Sequence, residues 1–209
     1  MQLRFESSLT ADEYVRFQAW HSARLPFCPV HPNGGCSIAR HGTYGRSNPA
    51  GIRIARWYCP QGHCTFSLLP DFLAARLGGT LADLEHVAVQ VEQSGASIEA
   101  LADALRAADD ITLASAIRWV RRRIVYVRTA LICIADTMPS LHWPYPPSLT
   151  ALRSQDVAQW FLPQLRALAS DMLPVLPPPL GFASFRSTGN QRGIQFQQQT
   201  GPDPPPQHL

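Results

Sequence analysis

The side chains able to do chemistry are concentrated between residues 28 and 70. Cys28, Cys36, Cys59 and Cys64, four of the five cysteines, lie there beside His31 and His63. They form two ligand-rich turns, residues 28–36 and 59–64, each opening with Cys-Pro. Proline directly after a cysteine fixes the backbone of the turn, so the thiolate and a ligand a few residues later can point at one ion. Thiolates and imidazoles in such paired turns suit a tetrahedral Zn2+. Six candidates compete for four positions. Cys28 and Cys59 open the turns and are the anchors. In the second turn, His63 follows Cys59 with three residues between and Gly62 for the bend, while Cys64 already begins a strand. In the first, His31 stands at the tight Cys-x-x-ligand spacing, and Cys36 needs the wider loop that Gly34 and Gly35 allow. The expected set is Cys28, Cys36, Cys59 and His63, with His31 and Cys64 as alternates. Such a set fills a tetrahedral shell, so the zinc is expected to be structural.

Both turns must be held by strands. Residues 52–57 alternate, with Ile52, Ile54 and Arg56 on one side and Arg53, Ala55 and Trp57 on the other. Arg40, Arg46, Arg53 and Arg56 fall on or beside these strands, interleaved with Tyr44, Trp57 and Tyr58, a mixture suited to phosphate contact and stacking. Between Glu13 and Asp71 there are six arginines and no acid. Residues 1–27 read as a helical arm covering this small module: Thr10 and Glu13 make a capping box, and Tyr14, Phe17 and His21 share a face.

The order of these motifs carries a resemblance. RHGTY at 40–44, IRIARWYCPQGH at 52–63 and TFSLLPDFL at 65–73 resemble the N-terminal zinc ribbon of insertion-sequence transposases and their short relatives. There a CPxC turn, an RxGxYxR strand, an RYxC turn and a TFSxLP strand follow in that order. This chain departs from the pattern at both second ligands. The resemblance implies a DNA-reading module with double-stranded DNA as partner.

From Thr80 the apolar period lengthens to that of a helix. Thr80 and Asp83 cap a first helix carrying Leu81, Leu84, Ala88 and Val91; Ser97 caps a second with Ile98, Leu101 and Leu105. A long third follows Asp109, Asp110 and Thr112, with a seam of Leu113, Ile117, Val120, Ile124, Val127, Leu131 and Ile134. Arg118, Arg121 and Arg122 lie off that seam. Three helices with a basic third are similar to the helix-turn-helix that follows the ribbon in transposases, which makes these arginines candidate DNA contacts. The seam offers a competing reading, a protein-interaction module or a homodimer through the 111–135 helix. LHWPYPPS after Pro139 reads as a stiff linker, 154–173 as a last helix with Pro163 as a kink, and 174–209, rich in proline and glutamine, as disordered.

The expected architecture is therefore α+β: an arm (1–27), a β zinc ribbon (28–78), a three-helix domain (79–138), a linker and helix (139–173) and a tail (174–209). No signal peptide and no stretch near the roughly 20 apolar residues of a spanning helix is visible, so a cytoplasmic location without membrane contact is expected. Five cysteines in a reducing compartment favour metal over disulfide, and Cys133 reads as a core residue. Beyond Asp136 the acids are Asp156, Asp171 and Asp203, too few and too scattered for a metal-dependent strand-transfer centre. With no phosphate loop, no nucleophile elbow and no His-Glu-x-x-His pair, neither catalysis nor a small-molecule substrate is expected.

Overall fold

The computed structural model describes residues 1–93, 95, 97–106, 111–139, 143, 146–153 and 160–183. The elements run β1 (Gln2–Phe5), α1 (Ala11–Arg16), β2 (Ala39–Gly45), β3 (Arg53–Cys59), β4 (Cys64–Pro70), α2 (Leu81–Gln93), α3 (Ile98–Arg106), α4 (Leu113–Thr137), α5 (Leu149–Arg153) and α6 (Phe161–Leu168). The class is α+β. The sheet has the order β1-β4-β3-β2. β2 and β3 are antiparallel, with an irregularity between Arg40 and Thr43, and β3 and β4 form a hairpin closed by the pair Cys59 and Cys64.

The arm departs from its expected purely helical form. Its first residues add a strand parallel to β4, from Gln2 opposite Ser67 to Phe5 opposite Pro70. Four residues are too few for a period of two to stand out, and the partner strand is remote in sequence. Arg4 seals this edge by giving two hydrogen bonds, of 2.8 and 2.9 Å, to the Asp71 carboxylate. The capping box at Thr10 and Glu13 is formed, and buried Tyr14 donates its hydroxyl proton to the carbonyl of Arg53 at 3.1 Å. Phe17 and His21 are exposed instead of sharing the face of Tyr14; α1 ends at Arg16, and Gln18 at φ 51° turns the chain so that Trp20 is buried in their place. Tyr14, Trp20, Ile52, Ile54, Leu69 and Leu73 form the core under this side of the sheet. Each such side chain contributes about 1.5–3 kcal/mol by leaving water.

The three expected helices stand where their caps place them. Thr80 and Asp83 exchange hydrogen bonds of 2.8 and 3.0 Å, Ser97 accepts the amide of Ala100 at 3.1 Å, and Thr112 accepts that of Ser115 at 3.3 Å. The α4 seam is a spine within the chain. Val120 and Ile124 pack with Val87 of α2 and Ala102 of α3, while Val127, Leu131 and Ile134 pack with Leu81, Leu84, Leu149, Leu162 and Leu165. From Val120 onward the chain's own helices therefore fill this seam, while Leu113 at its start is exposed.

Glu85 and Glu92, seven residues apart on α2, reach the starts of the last two helices. Glu85 accepts the amide of Leu162 at 2.8 Å and Glu92 that of Thr150 at 2.9 Å, satisfying N–H groups that a short helix leaves open. The end of the chain differs from expectation. Pro163 sits in the first turn of α6, where a missing N–H costs nothing, so it starts the helix instead of kinking it. Of the stretch read as disordered, residues 174–183 are folded onto the helices, with Leu176 and Leu180 buried. Residues 184–209, residues 154–159 with Val157, and Leu141, His142, Pro144 and Tyr145 of the linker lie outside the described residues.

Three arginines fasten the sheet to the helices by donating to carbonyls of the connecting residues 71–79. Arg166, with no exposed surface, donates to Asp71 and Leu73 at 3.0 and 2.6 Å and also to Leu180 and Pro179. Arg46 donates to Ala74 and Leu77, and Arg123, stacked 3.3 Å above the Trp119 ring, to Gly78. The five-donor guanidinium fork suits such multiple capping.

Candidate metal centre

Two turns and two strand ends bring the ligands together. Residues 28–31 close on themselves, with the amide of His31 bonded to the carbonyl of Cys28 at 3.1 Å. Gly34 and Gly35, at φ 86° and 84°, then swing the chain back so that Cys36 returns towards Cys28; side chains are strained in this left-handed region. Cys59 ends β3. The amide of Ser37 donates to Gln61 Oε1 at 3.1 Å and ties one turn to the other.

The ligand atoms of Cys28, His31, Cys36 and Cys59 all lie within 4.8 Å of one another. His31 Nδ1 is 3.5 Å from Cys28 Sγ and 3.4 Å from Cys59 Sγ. The amide of Gly62 donates to Cys59 Sγ at 3.2 Å. Cys28 and Cys59 are buried against Phe66, with Leu3, Leu25, Ile38 and Trp57 around them, and all five cysteines are free thiols.

Of the expected set, the structure gathers Cys28, Cys36 and Cys59 and adds His31, one of the two alternates. His63 faces elsewhere. It ends the turn of residues 60–63 at φ 45°, exposed, with its Nδ1 3.5 Å from the Tyr58 hydroxyl. Cys64 stands opposite Cys59 in the ladder, at the margin of the group. The tight Cys-x-x-His spacing was the signal for His31.

The electrostatics of the group call for a cation. Burial raises the Cys28 thiol, but hydrogen bonds from His31, from the amides of Val30 and His31 and from Cys36 outweigh it and bring it down to about 6. Burial and the neighbouring thiols of Cys28 and Cys59 push Cys36 up to about 11. One thiolate forms readily and the next resists. A divalent ion bound among them removes that repulsion and lets three thiolates coexist. Three sulfurs and one imidazole nitrogen are a donor set that fits Zn2+.

The arginines divide into two groups. Arg40 donates to the carbonyls of Trp20, His21 and Ala23 at 2.6, 3.1 and 3.5 Å, and Arg46 to those of Ala74 and Leu77, so both guanidiniums are spent inside the protein. Arg53 is exposed beside Thr43 Oγ1 at 2.9 Å, and Arg56 lies 6.0 Å over the Tyr44 ring. Arg118 is exposed near Ser115, Arg121 pairs with Glu99 at 2.9 Å in solvent, and Arg122 lies over Tyr126. No helix among the described residues is long and apolar enough to cross a membrane. Compared with known proteins, the chain matches no family model, no curated protein and no solved structure.

Proposed function

We propose that this chain is a DNA-binding module of the kind that opens insertion-sequence transposases, with a structural Zn2+ held by Cys28, His31, Cys36 and Cys59. The observation that carries the reading is the charge of the ribbon. No carboxylate occurs between Glu13 and Asp71, and Arg53 and Arg56 stand on the sheet beside Tyr44 and Tyr58. The metal's part is mechanical. It replaces a core that so small a sheet end lacks, and it fixes the two turns from which β2, β3 and β4 emerge.

In this reading Arg118, Arg121 and Arg122, in the first half of α4, add phosphate contacts from the helical part, with Arg121 leaving its exposed pair with Glu99 to do so. Guanidiniums placed on phosphates release condensed counterions, so affinity falls steeply with salt. The competing reading, dimerisation through the α4 seam, has to contend with a seam already packed against α2, α3 and α6. A gel-shift salt series on duplex DNA, with and without chelator, tests the proposal. Retardation that weakens steeply with salt and is lost on chelation is expected; flat salt dependence or no retardation overturns it.

A further inference from the structure

The metal group leaves one thiol over. Cys64 faces Cys59 directly across the antiparallel β3 and β4 ladder. Partners in such a ladder have Cα atoms about 4.5–5.5 Å apart, inside the range of about 4.4–6.8 Å that a disulfide spans. Both sulfurs lie on one side of the hairpin. A methyl group placed on Gly62 would sit 3.3 Å from Cys64 Sγ and 3.4 Å from Cys59 Sγ. Gly62 is exposed and Cys64 is half-buried, whereas Cys59 is fully buried and Val30 Cγ1 lies 3.4 Å from that same methyl position, so Cys64 is the sulfur of the pair that solvent reaches.

We infer that Cys59 and Cys64 form an oxidant-sensitive pair whose disulfide withdraws Cys59 from the metal centre and releases the ion. The inference rests on the metal centre proposed above. The oxidant class is a small peroxide. The half-buried Cys64 sulfur attacks one peroxide oxygen; an S–O bond forms, the O–O bond breaks, and the hydroxide takes up the thiol proton and leaves as water, giving a sulfenic acid. The Cys59 sulfur then attacks the Cys64 sulfur; the S–S bond forms, the S–O bond breaks and hydroxide leaves. Two electrons pass from the thiol pair to peroxide, which ends as water once solvent neutralises the hydroxide. The metal is lost because the remaining Cys28, His31 and Cys36 are three donors, and the buried sulfur between them no longer carries charge.

Of the other thiols, Cys28 is buried and its backbone bridge partner is His31, not a cysteine. Cys36 reaches the group through the loop of Gly34 and Gly35 and has no ladder partner among the cysteines. Cys133 lies on α4, in the helical core.

The test uses the full chain loaded with one equivalent of Zn2+, treated with hydrogen peroxide, with metal release read by a chromogenic chelator and disulfides mapped by mass spectrometry. The expected result is a Cys59–Cys64 crosslink appearing in step with metal release, and release at least about tenfold slower in Cys64→Ser. A different first crosslink, or release from Cys64→Ser at the wild-type rate, overturns the inference. So does loss of metal binding in Cys64→Ser, which would make Cys64 a ligand. Should the wild-type chain take up no metal, the metal reading fails instead, and mapping the peroxide-treated protein still decides whether Cys59 and Cys64 are the pair.

Discussion

His31 Nδ1 lies 3.4 Å from Cys59 Sγ although 28 positions separate them in sequence, and this contact joins the two ligand turns. His63, only four positions from Cys59, is directed to Tyr58 instead. Replacement of His31 by alanine is therefore expected to weaken metal binding by about a hundredfold or more, whereas His63→Ala leaves it within about twofold. Cobalt(II) titration, followed by the thiolate charge-transfer and d–d absorption bands, measures both.

The metal-free protein should show a stability that rises and then falls with pH. The folded value of Cys28, about 6, lies below the ordinary thiol value of about 8.5. Its contribution is full above the ordinary value and is lost as pH falls through about 6. Cys36 has the opposite sign: raised to about 11, it contributes fully below the ordinary value and loses that contribution as pH rises through about 11. Denaturant midpoints measured under reductant from pH 5 to pH 11, an interval chosen to bracket both values, should trace this dome. Cys28→Ser should remove its rising limb.

Arg166 has no exposed surface and caps four carbonyls, so its loss leaves several buried acceptors unpaired. Burial lowers its basicity to about 9, with Asp71 opposing, which reflects how dry the site is. Arg166→Met is expected to destabilise the fold by about 3–5 kcal/mol, since the penalty is that of stranded acceptors as well as a lost cation. Chemical denaturation, with residues 174–183 followed by hydrogen exchange, should show the C-terminal segment released first.

The arginines of the sheet should separate by role. Arg40→Ala and Arg46→Ala are expected to lower stability by about 1–3 kcal/mol, because each strips the donor from two or more partly buried carbonyls. The double change Arg53→Ala, Arg56→Ala should leave the thermal midpoint nearly unchanged and reduce the slope of log affinity against log salt by about 2. Thermal melts and binding isotherms on the same preparations decide the matter. An unchanged slope would remove the sheet from the proposed DNA surface.

Much of the local structure was legible in the sequence because its signals are short-range. Thr10 with Glu13 and Thr80 with Asp83 pair as written, Ser97 caps α3, and of Asp109, Asp110 and Thr112, read as the start of the third helix, Thr112 caps α4 while the two acids lie outside the described residues. The α4 spine was visible as a heptad pattern, and the alternation in residues 52–57 as a strand. β1 was not legible, since four residues carry no usable period and its partner is β4. Nor was the folding of residues 174–183, where proline content suggested a free tail and Leu176, Leu180 and the Arg166 contacts fasten the chain.

By itself the sequence determined that two Cys-Pro turns with spare histidine would face each other, and that a basic ribbon would precede a helical part. Residue types, spacings and caps are enough for that. Only the tertiary structure decided which four of the six candidates came together, and which arginines are spent on carbonyls of the chain itself. A ligand's direction depends on backbone dihedrals at Gly34, Gly35 and His63 and on the register that sets Cys59 opposite Cys64. Likewise, an arginine looks the same in sequence whether its guanidinium meets solvent or, as for Arg40 and Arg46, carbonyls brought close by distant parts of the chain.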